Sequence, residues 1–180
     1  MPNLTVTEFM SLDGVIEEPM WTMPYWNDET ANFKAQETSA EEPLLLGRVT
    51  YQGFAAAWPQ RGNEDPGAAY FNGTRKYVVS TTLNSVEWNN SVLIKNNIVE
   101  EITKLKQGDG PDIVVHGSAN LVQTLAQNDL VDRYRFLMYP LVLGKGKRLF
   151  QDGLDVKLKL VQAQPFSTGV VALVYEPVRS

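Results

Sequence analysis

Apolar positions follow two rhythms along this chain. In "LTVTEFM", Leu4 and Val6 alternate with Thr5 and Thr7, the period of a strand with one buried face. "PLLLG" (Pro43 to Gly47) is a short continuous apolar run closed by glycine, and Lys76 to Ser80, "SVLIK" and "DIVVH" are further short strands. The helical rhythm lies between them. "NDETANFKAQET" sets Ala31 and Phe33 on one side behind an Asn27 cap, and "RVTYQGFAAAW" reads as helix despite Gly53. "NIVEEITKLK" aligns Ile98, Ile102 and Leu105, with Glu100 and Lys104 at a supportive spacing. Leu121 and Leu125 give the next helix its buried face, whereas "SLDGVIEEP" and "NGTR" read as turns.

The last third, "RYRFLMYPLVL", "VKLKLVQAQPF" and "GVVALVYEPV", is strand after strand. Strand–helix alternation implies parallel pairing through right-handed crossovers, and the closing strands imply an antiparallel hairpin. The expected fold is therefore α/β. A single domain over residues 1–180 carries a mixed, mostly parallel sheet, with helices on both faces and a C-terminal antiparallel hairpin. In such sheets ligands bind beyond the carboxyl ends of the strands.

Composition narrows the chemistry. With no cysteine and one histidine, His116, thiolate nucleophiles, disulfides and His- or Cys-built metal sites are excluded, so no metal is expected. A net charge of -5 argues against a nucleic-acid surface. No apolar stretch approaches the ~20 residues of a membrane span. The opening "MPNLTVTEFM" lacks a basic segment followed by an apolar run, so no secretory signal is expected and the chain reads as soluble and cytoplasmic.

Three strand ends carry groups that an anion would find favourable. "LLLGRVTY" offers close backbone approach at Gly47, a fork of donors at Arg48 and a hydroxyl at Thr50. "YVVSTT" places Ser80 and Thr81 just past a strand, and "VVHGSANL" presents Gly117, Ser118, Ala119 and Asn120 at a helix start. Each alone also fits a bland reading: a turn with a surface arginine, a plain serine cap, or a strand-end histidine at His116. The pattern is not the G-x-G-x-x-G dinucleotide fingerprint.

Together "LLLGRVTYQGFAAAW", "KYVVSTTL", "VVHGSANLVQTL" and "LVDRYRFLMYPLVLGKGKRLF" resemble the dihydrofolate reductase-like superfamily. The nearest branch looks like stand-alone proteins similar to the reductase domain of the bifunctional riboflavin-synthesis deaminase-reductase. The likeness runs from the first strand to about Phe150. It implies an NADPH site in which Gly47, Arg48 and Thr50 hold cofactor phosphates. Ser80, Thr81 and Lys95 match positions around the 2′-phosphate, and Gly117, Ser118, Ala119 and Asn120 match the turn beneath the pyrophosphate and nicotinamide. Asp13, Gly14 and Ile16 match a loop covering the nicotinamide. One departure is Gly117-Ser118, where the family usually has Gly-Gly. The segment "GKGKRLF" is typical of the riboflavin-type branch and reads either as a basic turn or as a part near substrate or a dimer contact.

For the substrate end, the resemblance places Glu29 at the acidic position that precedes Phe-Lys. There a partly buried carboxylate of raised pKa would orient a heterocycle or relay a proton. The alternative is an acid that only complements the helix dipole. Trp21, Tyr25, Trp26 and Phe33, joined by Tyr139, are candidates for an aromatic cleft, with Asp13 a further substrate contact, or else they fill core. The expected activity is an NADPH-dependent reductase. It would transfer hydride to a small conjugated, pterin- or pyrimidine-like substrate, in the manner of 5-amino-6-(5-phosphoribosylamino)uracil reductase or dihydrofolate reductase. Alternatives are a non-catalytic nucleotide-binding or interaction protein on the same scaffold, or a structural dimer. A small-molecule substrate and a homodimer are the expected partners, without nucleic acid or membrane.

Overall fold

Alternation along the strands decides which helices cover which face of the sheet. The computed structural model describes residues 1–62 and 64–180. Its strands are β1 (Leu4–Ser11), β2 (Leu44–Gly47), β3 (Lys76–Val79), β4 (Ser91–Ile94), β5 (Ile113–Val115), β6 (Arg133–Tyr139), β7 (Leu158–Pro165) and β8 (Val171–Pro177). Its helices are α1 (Asp28–Thr38), α2 (Arg48–Ala57), α3 (Pro66–Gly73), α4 (Ile98–Gln107) and α5 (Ala119–Gln127), with 3₁₀ turns at Pro19–Tyr25 and Trp58–Gln60. The described strands form one sheet in the order β4-β3-β2-β5-β1-β6-β8-β7. From β4 to β6 every neighbouring pair is parallel, whereas β6–β8 and β8–β7 are antiparallel. This is the mixed α/β architecture expected from the sequence.

On β2 and β5, Leu45, Ile113 and Val115 pack in one cluster with Ile102 of α4 and Leu121, Val122 and Leu125 of α5. Their neighbours Leu44, Leu46 and Val114 turn the other way, against Tyr51 of α2 and Phe71 of α3. Because successive side chains point to opposite faces, these are the two sides of one sheet. Leu137 and Tyr139 of β6 share a third cluster with Phe33 of α1 and with Phe166, Val170 and Ala172 from the closing hairpin.

Two elements differ from expectation. Helix α3 was not anticipated, although Asp65 accepts from Gly67 N–H at 2.9 Å and Pro66 occupies the first turn, a standard start signal. Strand β6 stops at Tyr139 rather than running to Leu143, since Pro140 has no N–H for the ladder.

A buried ionic cluster fastens α1 to the sheet. Glu37 pairs with Lys34 and with Arg135 of β6 (3.1 Å), and accepts from Thr7 Oγ1 of β1 at 2.7 Å. Burial works to raise the Glu37 pKa, but Lys34, helped by the Thr7 hydroxyl, holds it below the ordinary value. A depressed carboxyl pKa contributes stability above its unfolded value, and that contribution is lost as pH falls through the folded one. Removing one partner leaves uncompensated buried charge. Glu37→Ala is therefore expected to destabilise by about 3 kcal/mol or more at neutral pH, read as a lower urea midpoint at unchanged slope. The deficit against wild type shrinks on acidification. A change below about 0.5 kcal/mol would show that the cluster does not fasten α1.

Candidate functional site

Strand β5 is three residues long and lies between β2 and β1, so its carboxyl end delivers Gly117 beside Gly47. Gly47 N–H donates to Gly117 C=O at 2.9 Å. A Cβ on Gly47 would sit 2.8 Å from Ser118 N and 2.9 Å from Ser118 Cβ, so only glycine allows this approach. The two tips, with that of β3, enclose a pocket of about 350 Å³. It is lined by Gly47, Arg48 and Val49, by Val79 to Thr82, and by Ile98, Ser118, Asn120, Leu121 and Thr124.

Three helices begin at this pocket: α2 at Arg48, α4 at Ile98 and α5 at Ala119. Their first N–H groups lack intrahelical partners, and each carries the positive end of a helix dipole. Ser118 caps α5 by accepting from Leu121 N–H, so it is both a cap and a wall of the pocket. Ser80 Oγ accepts from Thr82 N–H (3.2 Å) and Leu83 N–H (3.0 Å), which forms the turn that presents Thr81. Arg48 is the one charged residue of the lining, its guanidinium exposed and, among the described residues, bonded only to Gln52 at 3.2 Å. Arginine, hydroxyls and helix starts make a donor set for phosphate. A larger open hollow of about 710 Å³ near Tyr51 and Trp88 carries Glu87 and no cation, the wrong sign for an anion.

Behind the pocket, Gly117 has φ +104, and a Cβ there would meet Glu8 Oε1 at 2.9 Å and Thr50 Oγ1 at 3.0 Å. Thr50 thus faces Gly117 instead of lining the phosphate pocket. Glu8 was not singled out from the sequence. Yet it occupies a position of β1 whose companions Leu4, Val6 and Met10 are core, and a carboxylate interrupting an apolar face was the available signal. His116 is wedged against the rings of Phe54 (5.6 Å) and Phe71 (5.4 Å). Burial, then Lys34, lowers its pKa to about 3, so it is neutral.

Several expected site residues are engaged by the chain itself. Asp13 accepts from Leu143 N–H (3.2 Å) and Gly144 N–H (2.8 Å), and its pKa falls to about 2 through the Ser11 hydroxyl first and those N–H groups next. Ile16 N–H bonds Lys147 C=O, and Gly14 C=O accepts from Leu149 N–H, each at 3.0 Å. "GKGKRLF" is thus the strap that holds the Asp13–Ile16 loop, and neither segment contributes to the phosphate pocket. Lys95 bonds Asn84 Oδ1 at 3.1 Å and lines a separate hollow with Tyr77 and Glu101.

The expectation of a raised Glu29 pKa is corrected. Its carboxylate accepts from the hydroxyl and N–H of Ser167, and these lower the pKa, the hydroxyl most. Glu29 thereby anchors the β7–β8 turn to α1. Phe33 and Tyr139 are core residues, 4% and 0% exposed, rather than walls of an open cleft. Phe9, Trp21 and Tyr25 all meet the Tyr139 ring edge-on at 5.4–6.0 Å. Trp26 stands exposed beyond them.

Comparison with known proteins places this geometry among relatives. The chain is 38% identical over 140 residues to YyaP of Bacillus subtilis (strain 168), an uncharacterized protein, covering 74% of this chain and 73% of that one. It is 25% identical to YwjB of the same organism, over 89% of this chain and 90% of that one. Among solved structures, a putative riboflavin biosynthesis protein from Shewanella sp. PV-4 superposes with TM-score 0.78 at 20% identity, over 98% and 99% of the two chains. Dihydrofolate reductase from Enterococcus faecalis, complexed with NADP(H), gives TM-score 0.66 at 16% identity, over 97% and 96%. A pyrimidine reductase-like protein from Corynebacterium diphtheriae gives 0.67 at 12%, over 99% and 93%. These likenesses establish a dihydrofolate reductase-like fold. The RibD C-terminal domain family model matches residues 2–172, and the chain belongs to that family.

Proposed function

We propose that this protein is an NADPH-dependent reductase acting on a small conjugated, pterin- or pyrimidine-like substrate. The observation that carries the reading is the convergence of Gly47-Arg48, Ser80–Thr82, Ser118 and Asn120 on one pocket at three helix starts. The residues present fit a dinucleotide phosphate. The glycine contact keeps side chains out of its path, the helix-start N–H groups are aimed outward, and the lone cation stands at the rim. When bound, the dihydronicotinamide would supply the hydride. Arg48, with Thr81 and Thr82, would select the extra 2′-phosphate, and the α2 and α5 starts would neutralise the diphosphate. Neutral His116 and the partnered Asp13 and Glu29 leave those groups to position structure. Membership of the RibD C-terminal domain family, the riboflavin biosynthesis description of the Shewanella neighbour and the NADP(H) in the enterococcal one support the reading. A homodimer in the cytoplasm remains part of the proposal, and among the described residues no helix is long and apolar enough to cross a membrane.

Thermal unfolding of the full chain tests the cofactor. At about 100-fold excess over Kd, NADPH is expected to stabilise by about 2.7 kcal/mol, with NADH shifting the midpoint far less at the same concentration. Equal shifts, or none at millimolar cofactor, would remove the reading. Arg48→Ala is expected to weaken NADPH about tenfold or more while leaving the weak NADH affinity nearly unchanged, by isothermal titration. Gly47→Ala forces Ser118 away, so it is expected to abolish binding of both cofactors and to lower the melting temperature.

A further inference from the structure

Glu8 is the one carboxylate on the Leu4–Val6–Met10 face of β1, where the other side chains are buried and apolar. Among the described residues its Oε1 has no hydrogen-bond partner and is out of reach of solvent. The residue nonetheless keeps partial exposure, so the group is reachable from one side. Thr50 Oγ1 flanks the same point in front of Gly117, and Gly117 is bonded in sequence to Ser118, a wall of the phosphate pocket. The Gly117–Ser118 turn thus joins these two groups to the wall of the pocket.

We propose that Glu8, with Thr50 beside it, is a polar subsite that takes the uncharged carboxamide of the bound coenzyme. The inference rests on the NADPH reading above. From its reachable side a protonated carboxyl offers an O–H donor to the carbonyl of a primary amide, so the contact forms without any charge.

The surroundings keep that proton in place. Burial is the largest influence on the Glu8 titration and pushes it well above the ordinary carboxylate range. From α1, Lys34 works against this rise and Glu37 adds to it. From β6 the register partner is the apolar Phe136, from α2 the facing group is the uncharged Thr50, and at the end of β5 His116 is neutral. Lys34 is held by Glu37 and Thr7, which bind its ammonium directly.

A carboxyl whose folded pKa is raised contributes stability fully below its unfolded pKa and loses it as pH rises through the folded value. Glu8→Gln keeps the donor–acceptor pair but cannot ionise. The ligand-free variant is therefore expected to melt above wild type at neutral pH, with the gap widening as pH rises above the ordinary glutamate range.

The binding test titrates the full chain with NADPH and with 2′,5′-ADP, which shares the 2′-phosphate but lacks the carboxamide, from about pH 6 to about pH 9. Titration of the shared phosphate cancels in the ratio of the two affinities. In wild type that ratio is expected to fall as pH rises. In Glu8→Gln it is expected to be flat and within about threefold of the wild-type value at the acid end. Glu8→Ala is expected to lower it about tenfold or more at every pH, with 2′,5′-ADP unaffected. In the infrared, the protonated carboxyl band of wild type should move on adding NADPH and be missing from Glu8→Gln. A ratio insensitive to all three side chains, or one that keeps its pH dependence in Glu8→Gln, overturns the subsite while leaving the reductase reading intact. Failure of wild type to bind either ligand overturns both.

Discussion

The hydrogen bond from Gly47 N–H to Gly117 C=O is the contact on which the site depends. It joins two strand ends separated by 70 positions of chain, and it forms because neither residue carries a Cβ. One such atom at Gly47 would strike Ser118, and one at Gly117 would strike Glu8 and Thr50. Everything nearby follows from this approach. Helix α2 starts one residue after Gly47 and α5 two residues after Gly117, so their positive ends are set side by side. Strand β5, three residues long, survives because it is paired on both edges and buried on both faces. A site assembled this way is rigid where phosphate would sit, since its donors are backbone groups of packed helices.

An acidic chain that is to attract an anion must keep its carboxylates away from the pocket. With 21 acidic against 16 basic residues, the means are visible. Asp13 holds the Leu143–Gly144 strap, Glu29 holds Ser167, and Glu37 sits between Lys34 and Arg135. Asp132 takes Lys106 and Arg179 together with Leu4 N–H. None of the four lines the pocket, where among the described residues Arg48 has no carboxylate partner. The local field is therefore positive although the sum is negative, which is why net charge spoke about nucleic acid but not about a small anion.

The same distribution explains what was legible in the sequence. Local signals read well: the alternation of Leu4 and Val6, the Asn27 cap that accepts from Thr30 N–H, and the strand-ending Gly47 are properties of a few adjacent residues. The resemblance carried the fold class further. What could not be read was every contact set by a distant partner. Glu29 looked like a buried acid in a helix's first turn, but Ser167, 138 positions away, supplies the donors that lower its pKa. Asp13 and the "GKGKRLF" segment looked like two separate candidates, and they turn out to hold each other across 131 positions. Phe33 and Tyr139 have the composition of a cleft wall, yet the closing hairpin covers them with Phe166 and Val170. Helix α3 was missed for the opposite reason: its Asp-Pro start was readable, but eight residues are too few to establish a periodicity.

Two glutamates show how far environment divides one chemistry. Glu37 is nearly enclosed, yet it stays ionised because two cations and a hydroxyl surround it, and its burial serves to fasten α1 to β1 and β6. Glu8, on the neighbouring strand position to Thr7, has no such company. A buried acid with no structural task would be expected to acquire partners or to be an apolar residue, because an unpaired polar oxygen destabilises the fold by about 1–3 kcal/mol. Leu4, Val6 and Met10 show that the same face accepts apolar side chains without difficulty. Under the proposal above, the cost at Glu8 is offset when the bound coenzyme completes its hydrogen bonding beside Gly117, the neighbour of the pocket wall at Ser118.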